Sequence, residues 1–305
     1  RELYDFNSVT AGGGLAALAE NRVVLISSTP SGTNTEFTLR SLSVSSLALG
    51  RSIVVPANPT GLALRPGSNE AWTIHSGNNN LIAISDLSTE RPLTTLPLRL
   101  LPQAVAVALA FSPSGRIAYV VVRNAEAQSD RGSVQIWDCV TRTLRTTITL
   151  GGTQPASAAL SPDGILLAIS GNSLNELNLP SPSLSYLNTV SSTAEVASAG
   201  LTGVGTIVGN LASAEHLAFH PDGNRLFLLA PLSVDTFDVQ SRRIVRSTLI
   251  PRSAKPNGID VSPFGELTLL RDSLGQQSVL IDTFSGEILD PQPFPNGIGF
   301  LVLRP

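Results

Sequence analysis

His216, His220 and Asp222 fall within seven positions of the stretch HLAFHPDGNRLFLLA, which holds two of the chain's three histidines. A His-x-x-x-His pair beside a carboxylate could share one metal on a helix, or serve acid–base chemistry. Pro221 and Gly223 interrupt that helix. On a strand the four steps between the imidazoles span about 13 Å, too far for one ion. The cluster therefore divides. His220 and Asp222 are expected in a turn, and His216 stays beside Glu215 at the other end of a strand. Ser-His-Asp chemistry finds no nucleophile-elbow GxSxG near any of the three histidines, His75 included.

Composition narrows the classes further. The chain has 305 residues, 42% hydrophobic and 14% charged, enough for a large core in one big domain or two ordinary ones. A net charge of -3, with Lys255 as the one lysine, offers no basic surface, so nucleic acid is not an expected partner. Cys139 stands alone, which excludes a disulfide framework and a Cys-x-x-Cys site and suits a small buried core residue. No phosphate loop of either GxxxxGK[ST] or GxGxxG type occurs. No apolar run reaches about 18 residues, so membrane insertion is not expected. The chain begins RELYDF, without an initiator methionine, and reads as a processed soluble product whose secretion signal has been removed.

The elements that hold these residues repeat. ALRPGSNEAWTIH from Ala63, AFSPSGRIAYVVV from Ala110, ALSPDGILLAIS from Ala159, AFHPDGNRLFLLA from Ala218 and DVSPFGELTLLR from Asp260 are each an apolar run, a Pro-centred turn and a β-branched or aromatic run. Pro presets the first turn dihedral and Gly supplies positive φ, so each is a hairpin. Pro66, Pro113, Pro162, Pro221 and Pro263 recur about every 40 to 60 residues, a propeller-blade period. A second signature follows four of these five hairpins. An apolar strand ends in Asp with Ser or Thr three residues on: Asp86 and Thr89, Asp138 and Thr141, Asp238 and Ser241, Asp282 and Ser285. Short polar side chains there close the turn into a further strand. The unit is four antiparallel strands, and its repetition predicts an all-β, seven-bladed β-propeller of four-stranded antiparallel blades. One domain spans 1–305, with blades near 14–57, 58–101, 102–153, 154–212, 213–254, 255–294, and 295–305 joined with 1–13. In that last blade Asp5 and Ser8 keep the turn spacing, and both termini complete one sheet. A six-bladed ring with the termini as extra edge strands is the alternative.

The repeats SPDGILLAIS and SPSGRIAYVVVRN resemble the YVTN-type seven-bladed propellers, a group close to the lactonase-like propellers. The resemblance implies a secreted or periplasmic bacterial protein. QIWDC also resembles the WD-repeat signature, but its Gly-His partner is missing.

A four-stranded meander puts the turns after its first and third strands on one face and the remaining connections on the other. Ligand sites are expected on the second face, where Asn58, Thr60, Gln103, Gln154, Glu215, His216, Asn257 and Asn296 ring the channel mouth. Their oxygens suit a divalent cation such as Ca or Mg, or a polar small molecule; alternatively the amides satisfy exposed backbone and hold channel water. In the lactonase-like propellers catalysis is attributed to charged mouth residues, and gluconolactonases hold a divalent metal. Glu215 is the one carboxylate in this ring. One insertion joins the same face, RNAEAQSDRGS, with Glu126, Asp130 and Arg131; a second, SSTAEVASAGLTGVGTIVGN, reads either as a flexible loop or as an extra hairpin folded over the mouth. The expected function is a noncatalytic secreted or surface binding scaffold for a protein, glycan or small polar ligand. The alternative is a lactonase-like hydrolase with a divalent metal held by Glu215, Asn257 and Asn296.

Overall fold

The structure, a computed structural model, describes residues 16–19, 22–31, 34–43, 45–46, 48–77, 80–98, 100, 103–124, 131–150, 153–174, 180–189, 193–195, 216–230, 232–251, 256–262, 264–272 and 279–289. Among them every regular element is a strand. The first sheet comprises β1 (Ala16–Ala19), β2 (Arg22–Ser31), β3 (Asn34–Ser43) and β4 (Ile53–Val55). The second comprises β5 (Pro59–Leu64), β6 (Glu70–His75), β7 (Leu81–Asp86) and β8 (Arg91–Pro97). In the third are β9 (Ala104–Phe111), β10 (Ile117–Asn124), β11 (Gly132–Asp138) and β12 (Thr143–Thr149). The fourth holds β13 (Gln154–Leu160), β14 (Leu166–Leu174), β15 (Pro180–Asn188) and β16 (Thr193–Glu195). The fifth follows with β17 (His216–Phe219), β18 (Arg225–Ala230), β19 (Ser233–Asp238) and β20 (Arg243–Leu249). The sixth is β21 (Pro256–Val261), β22 (Leu267–Asp272), β23 (Val279–Asp282) and β24 (Ile288–Leu289).

Each sheet is an antiparallel meander, with sequence neighbours paired in space. First strands pack side by side in chain order, β1 on β5, then β9, β13, β17 and β21. Fourth strands lie at the rim, where β8 and β12 are largely exposed. The result is a β-propeller-like stack with an apolar layer between successive sheets. Trp72 and Trp137 share the layer between the second and third sheets, and Cys139 is buried with them. Trp72 is fully buried and meets Phe111 edge-on at 5.3 Å. Burial also pushes the Cys139 thiol up to about 12, so it is an inert core group.

Hairpin turns lock neighbouring sheets together on one face. Gly67, Gly115, Gly164, Gly223 and Gly265 all take positive φ. Ser112, Ser161 and Ser262 hydroxyls accept the amides of Ile117, Leu166 and Leu267 at 3.1, 2.9 and 3.0 Å, closing their turns. Successive turns then touch. A Cβ on Gly115 would lie 2.2 Å from the Pro66 carbonyl, and one on Gly164 would lie 2.3 Å from Pro113 Cδ. Glycine is needed here for both conformation and contact.

The third-strand turns carry their own device. Asp86, Asp138, Asp238 and Asp282 accept amides from Ser88, Thr141, Ser241 and Ser285 at 2.8, 2.9, 2.6 and 2.7 Å. Hydrogen bonds from Ser88, the Thr141 amide, Ser241 and the Ser285 amide hold the four carboxyls below the usual carboxylate range. Four residues after each aspartate the backbone turns left-handed, at Glu90, Arg142, Arg242 and Gly286. Only Gly286 suits that conformation, and the turn spacing alone did not reveal it. Arg242→Gly is therefore expected to raise stability by about 0.5 kcal/mol in urea unfolding, since glycine removes the Cβ strain.

Bulges recur at matching places in several sheets. The first-to-second strand register slips between Pro59 and Gly61, Pro155 and Ser157, and Pro256 and Gly258. Fourth strands bulge opposite the steps Ile84/Ser85 and Thr236/Phe237, which accompanies the exposure of Leu93 and Val245.

Candidate functional site

The connections opposite the hairpin turns build the second face, and its polar side chains cross between sheets. Thr60 is the bulged residue of β5, a position that re-aims its side chain. Its hydroxyl donates to the Ala106 carbonyl of β9 at 2.8 Å, tying the second sheet to the third. Ser76 reaches the same carbonyl at 3.4 Å. Asn58 takes positive φ, and its carbonyl accepts the Ser76 amide at 3.1 Å. The buried His75 ring fixes this corner. Nδ1 donates to the Ala57 carbonyl at 3.1 Å and Nε2 accepts from the Thr73 hydroxyl at 2.7 Å. Burial lowers its pKa, so the imidazole is neutral and structural.

Other members of the sequence-derived ring divide by position. Gln103 is exposed in the turn before β9. Gln154 opens β13, and its Oε1 accepts Nη2 of Arg131 at 3.1 Å. The structure thus joins one ring residue to one insertion residue, across the third and fourth sheets. His216 opens β17 opposite Leu229 and is half-buried. Asn257 lies on β21 at the bulge that matches Thr60. Glu215, Asn296, Glu126 and Asp130 lie outside the described residues, as does the second insertion apart from Thr193–Glu195, which form β16 at the edge of the fourth sheet. Among the described residues no group of three His, Cys, Asp or Glu side chains gathers to hold a metal ion, and no helix is long and apolar enough to cross a membrane.

His220 and Asp222 lie in the β17–β18 turn, on the face away from His216. His220 Nδ1 stands 2.8 Å from Asp222 Oδ1, and the ring packs on Gly265 of the next sheet, where a Cβ would fall 2.1 Å from Nε2. This histidine occupies the position that Ser112, Ser161 and Ser262 fill elsewhere.

Two features of the site region carried no sequence signal. Strands β2 and β3 are ten residues each, yet β1 pairs only with Arg22 to Leu25 and β4 only with Phe37 to Leu39. Ser27 to Ser31 and Asn34 to Glu36 therefore extend past both flanking strands as a polar two-stranded ribbon, with Thr29, Thr35 and Glu36 exposed. Between the outer strands of the first two sheets lies a cleft of about 560 Å³, lined by Val54, Pro56, Ile84, Pro92 and Leu93 among others.

Asp235 on β19 is a buried carboxyl near neither turn. Burial raises its pKa, outweighing hydrogen bonds from Ser247 and Ser233. An unfolded aspartate ionises near about pH 4, so as pH rises past that point the unfolded chain gains and the fold loses stability. Asp235→Asn is expected to raise the unfolding midpoint at about pH 7 and to lose most of that gain below about pH 4. Calorimetry at both pH values checks it.

No protein-family model matches the chain, and no curated protein matches it. Solved structures do. Kuenenia stuttgartiensis hydrazine synthase is similar at a TM-score of 0.71 and 13% identity, over 90% of this chain and 97% of that chain. With 1342 solved chains matching, the likeness is one of architecture, a β-propeller-like all-β fold, and selects no activity.

Proposed function

We propose that this chain is a noncatalytic binding scaffold of the YVTN type, secreted or displayed at the cell surface, which takes a protein, glycan or small polar ligand on its mouth face. The observation that carries the reading is the β2–β3 ribbon. It adds exposed backbone and small polar side chains beyond what pairing with β1 and β4 uses. Blade packing ends where that ribbon begins, so the sequence there is free to serve recognition. Thr60 and Gln154, by contrast, are engaged between sheets. Seven blades fit the same picture. Among the described residues β5, β9, β13 and β17 each pack extensively between two other first strands, while β1 packs so only on β5 and β21 only on β17. Residues 295–305 with 1–13 are the segment proposed to join them.

Binding to a glycan array and to extracellular-matrix proteins, compared between the intact chain and one with the ribbon shortened to a tight turn, tests this reading. Loss of the bound ligand with the ribbon is the expected outcome. Lactone hydrolysis in calcium or magnesium that disappears in Glu215→Ala would overturn it in favour of the hydrolase.

A further inference from the structure

Arg131 begins the return of the chain into the third sheet, and its carbonyl accepts the Asn124 amide at 2.9 Å. Its side chain leaves that sheet for β13 of the fourth. There Nη2 donates to Gln154 Oε1 at 3.1 Å, while Nη1 is shut off from solvent with no acceptor among the described residues. Among the described residues no carboxylate pairs with this cation. Proteins rarely bury a guanidinium N–H unpaired, because the lost hydration is not replaced.

The pair is also held in place. A Cβ on Gly132 would lie 2.5 Å from both the Thr153 carbonyl and Pro155 Cδ, and one on Gly171 would lie 2.1 Å from the Gln154 carbonyl. Two glycines thus let β11 and β14 close on residues 153–155, which fixes Gln154 against Arg131. Thr153 is further tied to Ser185 by their hydroxyls at 3.1 Å. With Oε1 committed to the guanidinium, the Gln154 amide presents Nε2 as a second donor. A planar two-oxygen anion matches such a set, and a single cation balances a single negative charge.

We propose that Arg131 and Gln154 form a carboxylate-binding site between the third and fourth sheets. Its ligand is the carboxylate of a free organic acid or of a polypeptide. The site rests on the reading that the mouth face binds ligands, and it names what one part of that face recognises.

Ligand-detected NMR on the intact chain tests it, with N-acetylglycine against N-acetylglycinamide and a tetrapeptide with a free against an amidated C-terminus. Both acids are expected to bind and both amides to fail. Tighter binding of the peptide assigns the source to polypeptide, and equal binding assigns it to free acids. Arg131→Lys keeps the charge but loses the fork, and should weaken binding by about tenfold. Gln154→Glu offers the guanidinium an internal carboxylate, and should raise the melting temperature while abolishing binding. Equal binding of acids and amides, unchanged affinity in Arg131→Lys, or binding retained in Gln154→Glu overturns the site. Failure of every acid on the intact chain also overturns it, yet leaves the ribbon comparison to decide the broader reading.

Discussion

Gly115→Ala is expected to destabilise the fold by about 3 kcal/mol, from left-handed backbone strain together with overpacking. The added Cβ would stand 2.2 Å from the Pro66 carbonyl, and φ there is +65°. Backbone on both sides leaves no flexible side chain to yield. The Gly115 carbonyl also accepts Arg65 Nε at 2.7 Å, so a shift in this turn loosens the contact between the second and third sheets. Gly67→Ala is the control, because it shares the positive φ but has nothing within 4 Å of its Cβ. It should cost about 1 kcal/mol, the conformational share alone. Urea unfolding of the two variants side by side separates strain from collision. Equal losses would mean that the turns do not lock together.

Glu70→Ala should cost about 2 kcal/mol, because it removes one carboxylate shared by three buried or partly buried donors. Glu70 accepts Trp72 Nε1 at 2.9 Å, Arg65 Nη1 at 3.1 Å and Arg142 Nη2 at 3.0 Å, and Arg142 belongs to the third sheet. Its loss leaves the Trp72 indole, Arg65 Nη1 and Arg142 Nη2 without this shared acceptor. Burial opposes ionisation of Glu70, but the bonds from Trp72, Arg65 and Arg142 outweigh it and hold its pKa below the ordinary value. A depressed folded pKa gives stability that is present above the unfolded value and lost as pH falls through the folded one. Glu70 and the turn aspartates act together in this sense. The melting temperature should therefore fall steeply below about pH 4, and less steeply in Glu70→Ala, which has already lost one contribution.

Much of the fold was legible because turns are local chemistry. Ser112 and Gly115, or Asp282 and Ser285, make their hydrogen bonds within five residues, so spacing alone identified four antiparallel strands per unit. What stayed hidden was of two kinds. Left-handed backbone at Glu90, Arg142 and Arg242 is imposed by the turn on residues with no preference for it. Contacts across sheets join positions far apart in sequence, as Arg142 joins Glu70 and Thr60 joins Ala106. The candidate site shows the same limit. Gln154 and Arg131 were each singled out on the mouth face, but nothing in the sequence paired them. The β2–β3 ribbon escaped notice because polar Ser and Thr alternate weakly and look like a loop. His220, expected in a turn, lies in one and packs on Gly265 of the next sheet, a contact that the sequence did not reveal.

On the proposed reading the two faces of this fold carry different obligations, one set by folding and the other open to recognition. A stability scan of every single substitution, read by proteolysis of a displayed library, tests that division most directly. Substitutions at Gly115, Gly164 and Gly265 and at Glu70 are expected among the most destabilising. Charged or bulky replacements at Thr29, Thr35 and Glu36 should leave stability nearly unchanged. If the ribbon positions prove as intolerant as the turns, the ribbon is part of the folding scaffold, and the mouth face loses its claim to be the binding face.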